Sequence, residues 1–515
     1  VSPEVSHPLQ EPGMGELAML ALVLIVAALY RRAFGRLPLH RDTGFYVPNY
    51  SVQTGRFGPF RGWNTYFSGG SRALPQLVHT AIYLKCGSEH YPAAYRALYT
   101  TMAWCTALAT AWIVGLVVGP SRGAALAGLM LSLALLSETQ YGVYFESAEA
   151  FEVLFQATGI ALVLTGIAAQ SSWLTMGGLL LLWTDVVAVK LTGAGVAGAV
   201  SAAVLWIEPG WWPGVVGLGL AAVGSFLLWV RASGVGIRRI FHFLGRHEAY
   251  VRRNYPSPLR LMAVKVAFAL WLMLRNPVIP ALAAVGMWQA GLAASDSLPG
   301  SPLVLLLVAY GAGLVVAFLR QGHRVWYYQI PSFPILAVLA TYALTHIAPP
   351  STDLVAAALV PVAASALINL WARLRLAPEA FNRRVFSVYN RPGARIGDEM
   401  AGGNWRIARF AEAIHDSVAG HTMLVVGPLN QASVLCDAGY DTPLTSLCDL
   451  SHGVAGEFEP WLGETLDRDP PELILITSEE DWKEASALLE GRARYEPVAE
   501  REGMRLLRLA DRAAA

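Results

Sequence analysis

Apolar residues fall into blocks of membrane-spanning length over most of the chain, and the pattern changes character near residue 376. A hydrocarbon core of about 30 Å takes roughly 20 apolar residues per helix. Eleven blocks fit: 15–31, 92–118, 123–138, 150–169, 172–187, 191–207, 211–231, 274–294, 301–320, 325–345 and 353–375. The stretch 172–207 also reads as one long, broken segment. The first block follows acidic rather than basic residues, so it does not read as a cleaved signal peptide. Between the first two blocks lies the segment 32–91. Within it, 73–86 is moderately apolar but carries Gln76, His79 and Lys85 just after Arg72. That mixture predicts an amphipathic helix on the membrane surface. Read as a twelfth span, it would invert everything after it.

Beyond 376 the runs shorten. Residues 422–427 and 472–478 are brief apolar stretches between turn residues, which predicts buried strands. Helical patterns fit 404–418, 429–438, 456–468 and 480–490, and 504–509 reads as a last strand paired with 494–501. Alternating strands and helices predict a partly parallel sheet. The expected fold is a polytopic α-helical membrane protein of about eleven transmembrane helices, residues 1–376, followed by a soluble C-terminal α/β domain, residues 377–515.

Composition agrees. Of 515 residues, 55% are hydrophobic and 15% charged, against roughly 25% charged in soluble chains. The net charge of +1 provides no field for a polyanion, so a nucleic-acid partner is not expected. Residues 1–376 hold 14 acids and 24 bases, and residues 377–515 hold 23 acids and 14 bases. Four cysteines are too few for a disulfide framework. Cys436 and Cys448 could pair in an oxidising space or remain thiols.

With eleven spans, the loops 32–91, 138–149, 232–273 and 321–324 share one side with the tail. Arg31, Arg32, Arg36, Arg41, Arg56, Arg61 and Arg72 lie there, which by the positive-inside rule marks that side cytoplasmic. A phosphate-binding pocket would supply a competing reason for the same arginines.

Acids are rare enough in residues 1–376 to take singly. Asp42 stands in a His-Arg-Asp-Thr-Gly-Phe-Tyr run ending at Tyr46. Glu138, Glu146, Glu149 and Glu152 cluster around the end of the third block and the start of the fourth. Glu149 and Glu152 share a helical face, where they could cap a helix N-terminus or mark a functional site near membrane depth. Asp185 lies inside a block, five residues before Lys190, and a buried ion pair, within the helix or between helices, is the simplest expectation. A basic and aromatic segment follows later: His323, Arg324, Trp326, Tyr327 and Tyr328, then Pro331 and Pro334. Arginine and histidine there can clamp a lipid phosphate, while Trp326 suits the interfacial aromatic belt.

The order of these features resembles the GT-C superfamily of polytopic glycosyltransferases: a first span, an Asp-centred loop, a basic residue opening an amphipathic helix, Arg96 near the start of the next span, the acidic cluster, Lys190, and the segment 323–334. The nearest resemblance is to the protein O-mannosyltransferase and lipid A aminoarabinose transferase branch. It implies transfer of a sugar from a polyprenyl-phosphate carrier, with inversion, to a hydroxyl of a lipid, glycan or protein acceptor. The resemblance makes Asp42 the general base or orienter of that hydroxyl, with Glu149 as the second-loop acid and Glu146 and Glu138 beside it. It places Tyr46 in the first loop, Arg72 on the donor phosphate, and Arg324, His323 and Tyr327 near that phosphate. It also implies a multi-pass protein of a prokaryotic cell membrane, working among membrane lipids with its C-terminal domain outside the cytoplasm. Relatives often carry two adjacent acids in the first loop, where this chain has Asp42-Thr43. No metal ligand set is evident, though the loop leaves room for a divalent metal.

Two other classes share the hydropathy pattern. A transporter or flippase of a lipid-linked solute would favour half-helices and an internal repeat; no repeat is found, and the acids lie at span ends. A non-catalytic subunit of a membrane complex would keep the fold without the chemistry.

Overall fold

The structure, a computed structural model, describes residues 13–34, 73–119, 121–137, 148–233, 278–297, 301–320, 330–347, 423–426, 444–445, 470–476, 479–490 and 494–510, with isolated positions between 257 and 266, 359 and 371, and 410 and 421. Ten helices form the apolar part of what is described: α1 (Met14–Phe34), α2 (Ala73–Val117), α3 (Arg122–Ser137), α4 (Ala148–Ala168), α5 (Ser172–Thr184), α6 (Ala194–Ile207), α7 (Trp212–Ser233), α8 (Val278–Ser297), α9 (Pro302–Arg320) and α10 (Phe333–Ile347). Six helical stretches are long and apolar enough to cross a membrane: Met14–Ala33, Ala93–Val117, Ala148–Ala168, Ser172–Val189, Pro209–Leu228 and Pro302–Leu319. Four shorter apolar helices accompany them. The block 353–375 lies mostly outside the described residues.

The block expected at 92–118 is the second half of a longer element. α2 runs through the presumed surface segment and bends at Gly87, whose φ of 74° and ψ of 171° are open to glycine and costly for other residues. Its first half, 73–86, buries His79 instead of presenting it to water.

Lipid tails provide no hydrophobic drive between helices, so close backbone packing has to hold the bundle together. Small residues allow it. A Cβ on Gly178 would lie 2.5 Å from the Gly159 carbonyl oxygen, so α4 and α5 meet backbone to backbone. Gly195 and Gly313 do the same for α6 and α9, where a Cβ on either would come within 2.7 Å of the other's carbonyl oxygen. Two apolar cores result. One gathers α1, α2, α3, α8 and α10 around Tyr30, Tyr95, Leu131 and Phe333. The other gathers α4 to α7 and α9 around Ile160, Leu179, Val200 and Leu306. Leu24, Leu108, Leu220, Leu228 and Val308 stay exposed on the outer faces, as residues against lipid should.

The chain reverses tightly between α4 and α5. Ser171 caps α5, accepting from the Leu174 amide. These helices are therefore antiparallel, and the start of α4 lies at the same end as the end of α5. The other end carries Trp173, Trp206 and Trp212, all exposed, the pattern of an interfacial belt.

In the tail, β1 (Met423–Val426), β2 (Leu444–Thr445), β3 (Leu473–Ile476), β4 (Tyr495–Arg501) and β5 (Met504–Leu509) form one sheet in the order β2-β1-β3-β5-β4. β1 pairs in parallel with β2 and β3, whereas β5 pairs antiparallel with β3 and β4. β3 is buried on both faces, consistent with its all-apolar sequence. Helix α11 (Glu479–Leu489) follows it. Phe410, Ile414, Val418, Met423, Leu475 and Leu506 make the core.

Candidate functional site

The polar residues of the bundle converge where α5 breaks. After Thr184 the helix widens into a π turn, Asp185–Val189. Lys190 then turns extended, with φ −158° and ψ 122°, and a 3-10 turn over Leu191–Gly193 leads into α6. Such widened turns are frequent at functional positions in helices. The break sends the Lys190 side chain across to α4. Its Nζ donates to Glu149 Oε1 at 2.5 Å and to Glu152 Oε2 at 3.3 Å. Thr192 Oγ1 donates to Glu152 Oε1 at 3.1 Å.

One turn deeper, Gln156 Nε2 donates to Asp185 Oδ2 at 2.9 Å and reaches Glu152 Oε1 at 3.5 Å. Glu149, Glu152 and Gln156 follow the i, i+3, i+7 spacing of one helical face, so their ladder extends about 10 Å along α4. Gly193 makes room for it: a Cβ there would sit 2.4 Å from Asp185 Oδ2. Tyr310 of α9 stands within electrostatic reach of Glu152 and Asp185 and donates its hydroxyl to the Pro331 carbonyl at 2.9 Å. That bond ties the entry of α10 to the same place.

The cluster is sealed. Glu149 is 1% exposed, Glu152 2%, Asp185 0% and Lys190 7%. Burying charge is costly unless it is paired and hydrogen-bonded, and each carboxylate here has a donor. α6 together with the preceding 3-10 turn, Leu191–Ile207, spans about 25 Å. The cluster thus lies at the end of these helices opposite the exposed tryptophans, where the chain enters α4.

Of the residues singled out from sequence, Glu149 is described, and the structure brings it together with Lys190, Glu152 and Asp185. Asp42, Tyr46, Arg72, Glu138, Glu146, His323, Arg324 and Tyr327 lie outside the described residues, as do Cys436 and Cys448. The buried ion pair expected here forms between helices, from Lys190 to α4. Lys190 bonds the two glutamates of α4, and Asp185 takes the Gln156 amide. Gln156 and Thr192 were not anticipated, although the seven-residue spacing from Glu149 to Gln156 in an otherwise apolar helix was a visible signal. Among the described residues, no group of three or more His, Cys, Asp or Glu side chains is placed to hold a metal ion.

No protein-family model and no curated protein matches the chain. Solved structures do. ArnT from Cupriavidus metallidurans bound to undecaprenyl phosphate superposes with a TM-score of 0.59 at 14% identity, covering 96% of this chain and 98% of that one. The chain shares the fold of that ArnT structure. The same ArnT in the apo state gives a TM-score of 0.57 at 15% identity, covering 95% and 97% of the two chains. The oligosaccharyltransferase of Archaeoglobus fulgidus is more distant, with a TM-score of 0.46 at 11% identity over 91% of this chain and 71% of that one. The fold likeness to ArnT extends over nearly the whole chain.

Proposed function

We propose that the protein is an inverting glycosyltransferase that moves a sugar from a polyprenyl-phosphate donor to a hydroxyl acceptor on the extracytoplasmic face of a prokaryotic cell membrane. The observation that carries this reading is the end-to-end fold likeness to a protein whose structure holds undecaprenyl phosphate. In this reading the acceptor oxygen forms a bond to the anomeric carbon as the carbon–phosphate oxygen bond breaks. The Asp42 carboxylate takes the hydroxyl proton, and the carrier leaves as polyprenyl phosphate. A hydroxyl needs a positioned base, and the developing phosphate charge needs cations, here Arg72 and Arg324 with His323. The arginine fork matches phosphate oxygens better than a point charge does. Tyr46, Tyr327 and Glu146 line the donor and acceptor. Glu149, sealed against Lys190, acts on the chemistry as a fixed charge at the base of the loops. The tail, 377–515, forms the extracytoplasmic domain.

The test is sugar transfer by purified protein from a panel of polyprenyl-phosphate sugars, comparing wild type with Asp42→Asn. A loss of roughly three decades, about 4 kcal/mol of transition-state stabilisation, is expected. Equal rates would move the base away from Asp42, and no turnover with any donor would remove the enzyme reading. Repeating the assay with a chelator asks whether the Asp42 loop works with a divalent metal. A reporter fused after Ala515 reads the orientation, and a cytoplasmic signal would overturn it.

A further inference from the structure

His79 has no part in the proposed chemistry, yet it is among the most deeply set polar side chains of the protein. It lies in the first half of α2, before the bend at Gly87, and is fully buried. Three tyrosines of the second half, Tyr91, Tyr95 and Tyr99, recur every four residues and so form one stripe. Their side chains enclose the imidazole. Tyr95 and Tyr99 stack on it, with centroids at 4.9 and 5.6 Å and planes 26° and 13° apart. Phe151 of α4 meets it edge-on at 6.2 Å. The Tyr99 hydroxyl lies 2.9 Å from Nε2 and the Tyr91 hydroxyl 3.1 Å from Nδ1.

Burial lowers the His79 pKa to about 3, so the ring is neutral, with one donor and one acceptor nitrogen. Two hydroxyls satisfy both. An apolar side chain could fill this space in several orientations, whereas a ring held at both nitrogens fixes one. Gly87 gives the bend its freedom, and the His79 clamp removes it.

We propose that His79 is a positioning residue, clamped between the tyrosine stripe and Phe151, that sets the place of helix 73–86 over the bundle and thereby the anchor of Arg72, the residue that precedes it in sequence. The last step, from Arg72 to the donor phosphate, rests on the glycosyltransferase reading. The placement of the helix does not. Phe151 lies between Glu149 and Glu152 in α4, so the clamp also references the helix to the strand of polar groups at the site.

The experiment uses the full-length protein in detergent and two readouts. His79→Phe keeps the stacking and removes both hydrogen bonds. Tyr91→Phe removes one hydroxyl and spares the histidine, which covers the case where the first variant folds poorly. Backbone amide exchange over 73–86 is expected to rise about tenfold in His79→Phe and about threefold in Tyr91→Phe, with 93–117 unchanged. Binding of undecaprenyl phosphate is expected to weaken about tenfold and about threefold in the same variants. In turnover the effect falls on donor KM, with kcat within about threefold. His79→Gln, which keeps a donor and an acceptor, recovers part of the loss. Unchanged exchange over 73–86 in both phenylalanine variants would overturn the clamp. Raised exchange with unchanged lipid binding, or a loss confined to kcat, would overturn its link to the donor. If the wild type binds no undecaprenyl phosphate, the glycosyltransferase reading falls, and exchange alone decides the clamp.

Discussion

Helix α4 is braced on two sides by buried polar groups of opposite kinds. On one side Glu149 and Glu152 face Lys190, whose ammonium donates to both, while Asp185 beside them accepts from the Gln156 amide. On the other side Phe151 faces His79, a neutral ring held by tyrosine hydroxyls. Both sites are sealed, but they carry different risks. The charged site depends on every partner being present, because a lone buried charge is far costlier than a lone buried hydroxyl. The neutral site loses only the modest net contribution of a hydrogen bond when one partner goes. The difference suggests a division of labour: the charged cluster fixes where α4 and the α5 break must meet, and the aromatic clamp sets the orientation of one helix.

The sharpest way to break the comparison is Lys190→Met. It leaves Glu149 and Glu152 buried without their cation and is expected to cost about 3 to 5 kcal/mol, read from unfolding in mixed detergent micelles. Removing the charges together, as Lys190→Met with Glu149→Gln and Glu152→Gln, is expected to recover most of that loss. If the single variant were as stable as wild type, the cluster would not be the brace described here.

Acid separates the two sites in a second way. His79 has a folded pKa near 3, below its ordinary 6.5. Between those values the unfolded chain binds a proton that the folded chain does not. The contribution of neutral His79 is therefore complete above pH 6.5 and is lost as pH falls towards 3, by up to about 1.4 kcal/mol per pH unit. The carboxylates titrate in the same range, so the informative quantity is the difference between wild type and His79→Phe. Wild type is expected to lose stability more steeply between pH 6.5 and 4.5. Parallel curves would mean that the imidazole is not held neutral by burial.

The two sites also differ in how far they could be read from sequence. The six long apolar helices were legible because lipid demands long apolar runs, and β1 and β3 of the tail because four apolar residues between turns have few other uses, whereas the two-residue β2 was not. Glu149 and Glu152 stood out because charge is rare there. The partners did not follow, since the sequence leaves open whether Lys190 pairs within its own helix or with another, and the extended conformation at Lys190 settles it in favour of α4. His79 misled outright. A polar residue in a marginal helix signals a wet face, and nothing local reveals that tyrosines 12 and 20 residues later supply both of its hydrogen bonds. Asp42, Arg72 and Arg324, outside the described residues, could be singled out only through resemblance to a family, because such chemistry leaves no periodic signature in the sequence.

The smallest effect tests whether the charged site is a single unit or a set of separate bonds. Thr192 donates to the same Glu152 oxygen that Gln156 approaches, from the far side of the helix break. Thr192→Val keeps the shape and removes the hydroxyl, and Glu152 retains Lys190, so the expected cost is about 1 kcal/mol. Gln156→Leu is expected to cost somewhat more, because it also takes the donor from Asp185. If the cluster acts as one network, the double variant departs from the sum of the two by more than about 0.5 kcal/mol in a mutant cycle. If the costs simply add, Lys190 alone holds the break to α4, and the deeper pair of Gln156 and Asp185 is a separate contact between α4 and the π turn.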